Sequence, residues 1–411
     1  MNIPVVPIIS PPPRSSAELR RLMRSQIPAA DHWAYFDHAA VSPIPKASAD
    51  AMRQFLGEAE SDGDYSWPKW ATAAQRLRSS GAQLLHCETS EIALIPNTTF
   101  GINLIANGMR WDMRRGTPTN VVVLENEFSS NLLPWKCLTE YGIEVRQVPV
   151  APHGVVDLNQ IRQFIDANTQ LVSASWVGYL SGYRLDLAEL CELTHQTGAK
   201  LFVDAIQGLG VFPCNLSELD IDFLAADGHK WMMGPEGAGL LFIREKNLDS
   251  LKPMMVGWGS IEGAHTFSTQ AMSFKKNASR FEGGSANHIG QIGFERSLQM
   301  LLDLGCHSET KTSEDGLLGE SVLETAAILE DQLKSVGAIV HRDQSVAEQF
   351  RSRLSGIVCF EKPGCDPMEL RNRLIRDKVM LSVRHGRLRA AVHAYNDRSD
   401  IDRLIQVIRE S

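Results

Sequence analysis

The chain has 411 residues, 43% of them hydrophobic and 22% charged, enough apolar material for one large core or two ordinary ones, so disorder as a whole is excluded. Its 41 basic and 49 acidic residues leave a formal charge of −8, spread without long like-charge blocks, which argues against a nucleic-acid partner. No run approaches the roughly 18 apolar residues that cross a bilayer. The apolar start from Ile3 to Ile9 is broken by Pro4 and Pro7 and lacks a basic flank, a poor signal peptide, so a cytoplasmic protein is expected. Seven cysteines, odd in number and without Cys-x-x-Cys spacing, fit reduced thiols better than a disulfide framework or a zinc site, and no metal is expected.

In chain order, residues 1–32 read as a mobile tail with one short helix. Prolines at 11–13 remove donors and hold the backbone extended, whereas Ser16 to Met23 has helical spacing with Glu18 near a cap. Residues 33–287 then alternate short apolar runs with helical patterns. The runs are Glu91–Ile95, Asn120–Leu124, Ile143–Val150, Leu171–Trp176, Lys200–Val203, Phe223–Ala226 and Gly239–Ile243. Helical periodicity falls at Phe100–Met109, Leu132–Glu140, Leu158–Ile165 and Leu187–Thr197. This alternation, with strands apolar on both faces, predicts an α/β domain: a mostly parallel sheet between helices. From His288 to Ser411 the order changes to long helices (289–304, 316–337), short strands (357–361, 380–384, 387–392) and a last helix at 399–408, which predicts a smaller α+β domain.

Chemistry gathers at two strand ends. Leu201-Phe-Val-Asp204 leads to Gln207, and Asp222-Phe-Leu-Ala-Ala-Asp227 leads to Gly228-His229-Lys230. Open α/β sheets bind ligands outside the carboxyl ends of their strands, so neighbouring strands would present Asp204, Gln207, His229 and Lys230 to one pocket. Singly, a Lys after a strand is usually solvated and an Asp there is usually a turn residue. The joint pattern resembles the class V aminotransferase group of fold-type I pyridoxal-phosphate (PLP) enzymes, which includes cysteine desulfurases, kynureninase and isopenicillin N epimerase. The resemblance runs from Tyr35-Phe-Asp-His-Ala-Ala40 to Tyr395-Asn396. It implies a seven-stranded large domain, a homodimer with shared active sites, and an amino acid substrate, with a keto acid for transamination, reacting through a Schiff base with PLP.

The resemblance assigns Lys230 as the Schiff-base residue and catalytic base, Asp204 to the pyridine nitrogen, Gln207 to the phenolic oxygen and His229 to the phosphate. Thr98 and Thr99, where a helix follows Pro96-Asn97, would belong to the phosphate cup; as residues alone they also suit an ordinary N-cap. Phe128 would lie on the cofactor ring where desulfurases carry a histidine, and a phenyl stacks but carries no proton. Ser285, in the glycine-rich segment 280–287, would reach a neighbouring subunit's phosphate. Arg389 would clamp the substrate carboxylate, a job that suits a planar guanidinium; Arg384 and Arg387 are expected at the surface and His393 has no assigned role. His38 and Tyr179 stand at positions bordering the substrate.

The Arg384-His385-Gly386 element runs straight into Arg387-Leu388-Arg389, with no room for the cysteine-bearing loop of desulfurases. Transamination of a small or medium amino acid is therefore the first expectation. A C–S or C–C lyase or an epimerase is the alternative, and a PLP-binding protein without turnover is a further one.

Overall fold

The computed structural model describes residues 7–112, 119–263, 273–308, 314–343, 345 and 350–411. The first helix, α1 (Ser16–Arg24), begins where the Ser15 hydroxyl accepts the Glu18 N–H, satisfying one of the free amides of a helix start. It is fastened down, contrary to the expected mobile tail. Leu19 and Met23 are fully buried, Arg20 donates to Ser321 and Thr325, and Arg24 pairs with Asp400 at 2.8 Å. An apolar stripe on a short helix needs such a partner surface to persist in water.

Next come β1 (Ala34–Tyr35) and two helices absent from the sequence-based expectation, α2 (Lys46–Ser61) and α3 (Trp67–Leu85). Only Ser48 of α2 is buried, although Ala47, Ala51, Phe55 and Ala59 recur every fourth residue, a helical period that the sequence does carry. The buried face of α3 sets Trp70, Leu77 and Leu84, seven residues apart, among the small Ala73, Ala74, Ser80, Gly81 and Ala82, again a helical period present in the sequence.

The main sheet then forms from β2 (Ile92–Ile95), β3 (Asn120–Leu124), β4 (Glu144–Val148), β5 (Thr169–Ser175), β6 (Lys200–Asp204), β7 (Phe223–Asp227) and β8 (Gly239–Ile243). Helices α4 (Thr98–Gly108), α5 (Leu133–Cys137), α6 (Leu158–Phe164) and α7 (Leu187–His195) alternate with the strands. The spatial order is β2-β8-β7-β6-β5-β3-β4. β8 pairs antiparallel with both β7 and β2, while the pairings from β7 through to β4 are parallel. All residues of β2, β3, β7 and β8 are buried, as a sheet covered on both faces requires. α4 comes close to the sheet at Gly101, where a Cβ would sit 3.0 Å from both Ala225 Cβ and Ile95 Cδ1.

In the C-terminal part, α8 (His288–Asp303) packs against α2 and α3, and α9 (Gly316–Ser335) contacts α1. β9 (Ile339–Val340), β10 (Ile357–Glu361), β12 (Ser382–Arg384) and β13 (Arg387–Ala391) form an antiparallel sheet ordered β12-β13-β10-β9. Between β10 and β12 lie α10 (Pro367–Arg376) and β11 (Val379–Met380), and β11 pairs with β1. The chain closes with α11 (Arg398–Arg409), capped by Asp397.

Candidate active site

A cavity of about 360 Å³ opens at the carboxyl ends of the parallel strands, lined by Thr98, Phe128, Asp204, Gln207, Lys230 and Arg389 among others. Its floor comes from the main sheet. Asp204 is the last residue of β6, and Lys230 follows the end of β7 by three positions, so strand pairing fixes their separation. Burial pulls the Lys230 ammonium down to about 8, against the opposing charge of Asp204. Burial likewise pushes Asp204 up to about 6, offset by the Ile206 N–H and by Lys230. A buried amine that loses its proton near neutrality is suited to attack a carbonyl and then to act as a base.

Gln207 is held by two bonds that settle its orientation. The Trp231 Nε1–H, which can only donate, reaches Gln207 Oε1 at 2.7 Å, and Gln207 Nε2 donates to the Ala39 carbonyl at 3.0 Å. Any further bond from that nitrogen into the cavity is therefore a donation. Behind it, His393 Nε2 donates to the Trp231 carbonyl at 3.0 Å and Nδ1 accepts the Ala394 N–H. Burial pulls His393 down to about 4, so it is a neutral buttress, a role the sequence did not suggest.

At one end of the cavity α4 begins. Asn97 caps it by accepting the Phe100 N–H, which leaves the Thr98 and Thr99 amides free at the positive end of the helix. The Thr98 hydroxyl accepts the Asp227 N–H at 2.9 Å, and the Thr99 hydroxyl donates to Ser130. His229 lines the same cavity, its Nδ1 3.1 Å from Asp227 Oδ2. The Phe128 ring is half exposed, with Lys230 Nζ 5.8 Å from its centroid.

The opposite wall is a hairpin of the small sheet. His385 and Gly386 have φ of 49° and 74°, the left-handed pair of a tight two-residue turn, and register sets Arg384 opposite Arg387 and Ser382 opposite Arg389. Cross-strand partners share a face, so Arg384, Arg387 and Arg389 all project to one side. Arg389 is buried, donates to the Tyr179 carbonyl at 2.8 Å and sits 3.5 Å from Asp37; burial lowers its pKa, opposed by Asp37. Arg384, expected at the surface, lines the cavity instead. A two-residue turn between Arg384 and Arg387 was the available signal for this. Tyr179 lines the cavity and its hydroxyl lies 2.8 Å from His385 Nε2.

Two expected residues stand apart. His38 is fully buried, with Nδ1 donating to the Ala391 carbonyl at 2.7 Å and Nε2 accepting from the Tyr395 hydroxyl at 2.9 Å. Its ring is consumed by these bonds and does not line the cavity, whereas its neighbours Ala39 and Ala40 do. Ser285 lines a different cavity of about 450 Å³, beside Arg78, Trp258 and His288, and within one chain it does not meet Lys230.

The Aminotransferase class-V family model matches residues 34–404. This chain belongs to that family. A probable cysteine desulfurase of Methanothermobacter thermautotrophicus is 27% identical over 410 residues, covering 94% of this chain and 97% of that protein. The apo structure of cysteine desulfurase from Thermococcus onnurineus NA1 superposes with a TM-score of 0.83 at 25% identity, covering 94% and 96% of the two chains. A structure of C-DES with glycine covalently linked to its PLP cofactor gives 0.83 at 20% identity, covering 94% and 99%, a likeness of fold. The chain is a PLP-dependent enzyme of fold type I. Its cavity fits that cofactor: a depressed lysine amine for the aldehyde, a buried carboxylate for the ring nitrogen, an oriented amide donor and a helix start with free amides for the phosphate.

Proposed function

We propose that this enzyme is a C–S lyase: it eliminates the sulfur substituent from Cβ of a sulfur-bearing amino acid. In this reading Lys230 holds the cofactor, Asp204 keeps the ring nitrogen protonated, Gln207 donates to the phenolic oxygen, and Thr98, Thr99 and His229 hold the phosphate beside the stacked Phe128. Bound PLP supplies an electron sink that makes the substrate Cα–H acidic. Arg389 grips the α-carboxylate, and Lys230 removes the Cα proton. The Cβ–S bond then breaks with its electron pair leaving on sulfur, where the Tyr179 hydroxyl, backed by His385, is in place to supply a proton. In sum, the substrate and one water give a thiol, pyruvate and ammonium, with no oxidant or reductant needed.

The observation that carries this reading is the lining of the cavity: among the described residues it contains one lysine and no thiol. Cys359 is buried beside it, its Sγ donating to the Leu180 carbonyl at 2.8 Å, and burial pushes it up to about 11. Direct elimination needs no protein thiol, whereas persulfide transfer does. The desulfurase names of the relatives favour C–S cleavage over transamination, the first expectation from the sequence.

The same proposal includes a dimer. Met254, Met255, Val256 and Trp258 are exposed apolar side chains next to the Ser285 cavity, and a second copy seated there would bring Ser285 to a neighbour's phosphate site. Incubating the PLP-loaded protein with L-cysteine and S-alkyl-L-cysteines should release pyruvate, ammonium and thiol or sulfide in equal amounts. Accumulation of pyridoxamine phosphate would replace this reading with transamination, and α-proton exchange with racemisation would replace it with epimerisation. A cofactor spectrum unmoved by any amino acid would indicate a protein without turnover.

A further inference from the structure

A second cavity, also about 360 Å³, lies on the far side of Tyr179 from the Lys230 cavity and is lined by His153, His341, Cys359, His385 and Arg387 among others. Tyr179 belongs to both linings, and a narrow gap lined by Glu127, Ser175 and Tyr179 lies between them. We propose that this second cavity is a subsite for an anionic group at the end of the substrate's side chain. The proposal rests on the reading of the Lys230 cavity as the reaction site and names the substrate class that the site takes: amino acids whose sulfur substituent ends in a carboxylate or a similar anion.

The charge of the cavity supports this. Arg387 has neither a hydrogen-bond nor an ion-pair partner among the described residues, although its guanidinium offers five donors. Three imidazoles surround the same space. His385 is joined to the Tyr179 hydroxyl, the His153 and His341 rings lie 6.2 Å apart between centroids, and His341 is 3.2 Å from Glu361. Two carboxylates also line it, and both are engaged elsewhere. Glu125 accepts the Val150 N–H at 2.8 Å. Glu127 accepts the Ser175 N–H at 2.6 Å and the Ser175 hydroxyl, and burial pushes it up to about 7. An unpartnered guanidinium lining a cavity, with its carboxylate neighbours already bonded, is a recognition element for an anion.

Spacing supports it as well. Arg387 and Arg389 lie two positions apart on β13 and on the same face, so their Cα atoms are about 7 Å apart. A substrate held by its α-carboxylate at Arg389 would reach past Tyr179 toward Arg387 with a side chain of a few heavy atoms beyond Cβ. The leaving group would then be the portion that occupies the second cavity.

The test uses the full-length PLP-loaded protein and two probes of nearly equal size, S-(2-carboxyethyl)-L-cysteine and S-butyl-L-cysteine. Dissociation constants come from the change in the cofactor's absorption spectrum, and pyruvate release is measured in parallel. The wild type should bind the carboxyethyl probe at least about tenfold tighter, and Arg387→Met should bring the ratio close to one, with Arg387→Lys between. The ratio is the readout because a general loss of folding weakens both probes together. A wild-type ratio near one, saturable binding of neither probe, or a preference that survives Arg387→Met but disappears in Arg384→Met overturns the subsite. Preferential binding without pyruvate release leaves the subsite standing and removes the lyase reading; equal binding with pyruvate from both does the reverse.

Discussion

The two walls of the active-site cavity are built on opposite plans. On the sheet side, Asp204, Gln207 and Lys230 are held by strand ends, and each buried polar group rests on another: Gln207 on Trp231, Trp231 on His393, Thr98 on the Asp227 amide. On the hairpin side three arginines project from a turn whose tip, His385 and Gly386, is exposed, and only Arg389 is deeply buried. The difference separates tasks. The rigid wall suits a cofactor common to the family, and the hairpin wall is where substrates can be told apart, since loops on a fixed scaffold change at little cost to the core.

If the division holds, substitutions on the sheet wall should disturb the cofactor and those on the hairpin wall should disturb the substrate. The largest effect is expected for Lys230→Ala, with turnover down by about a thousandfold or more and borohydride no longer fixing PLP to the peptide that contains position 230. Near-normal turnover in that variant would break the comparison at its base. The depressed amine gives the next largest effect. Below about 8 most Lys230 is protonated and unreactive, so PLP uptake by the cofactor-free protein, followed by absorbance, should speed up roughly tenfold per pH unit from pH 6 and level off above 8. A flat profile would place the reacting amine elsewhere.

Across the cavity, Arg389→Ala should raise KM about ten- to a hundredfold, the loss of a charge-assisted bidentate contact of roughly 1.5–3 kcal/mol, while PLP stays bound. Parallel loss of PLP would mean that the walls are not independent. The smallest effect should come from Trp231→Phe. It frees the Gln207 amide to rotate, at about 1 kcal/mol, and should lower PLP affinity several-fold with little change in the substrate KM, both measurable by spectroscopic titration.

The same contrast explains what could be read from the sequence. Strands 120–124, 239–243 and 357–361 have the expected limits because their apolar runs stop sharply at polar or turn residues. The sheet wall was legible because each of its groups lies within a few residues of a strand end. The hairpin wall joins residues about 150 positions from Lys230, and the place of Arg384 depends on a turn type and a register. His38 sits beside residues that do line the cavity, and only its backbone direction decides that its ring faces the core. α2 and α10 do carry helical spacing, at Ala51, Phe55 and Ala59 and at Leu370 and Leu374, a signal that the strand–helix alternation alone does not use.

The bond between Arg24 and Asp400 joins the first helix to the last, with β1 paired to β11 nearby. During synthesis on the ribosome, α1 is made roughly 290 residues before α9, the helix it packs against, and has no docking surface until α9 has emerged. Until then its Leu19 and Met23 face water or a chaperone, and Arg24 gains its partner Asp400 later still. A chain without α11 would therefore lose the Arg24–Asp400 pair and keep α1 packed on α9.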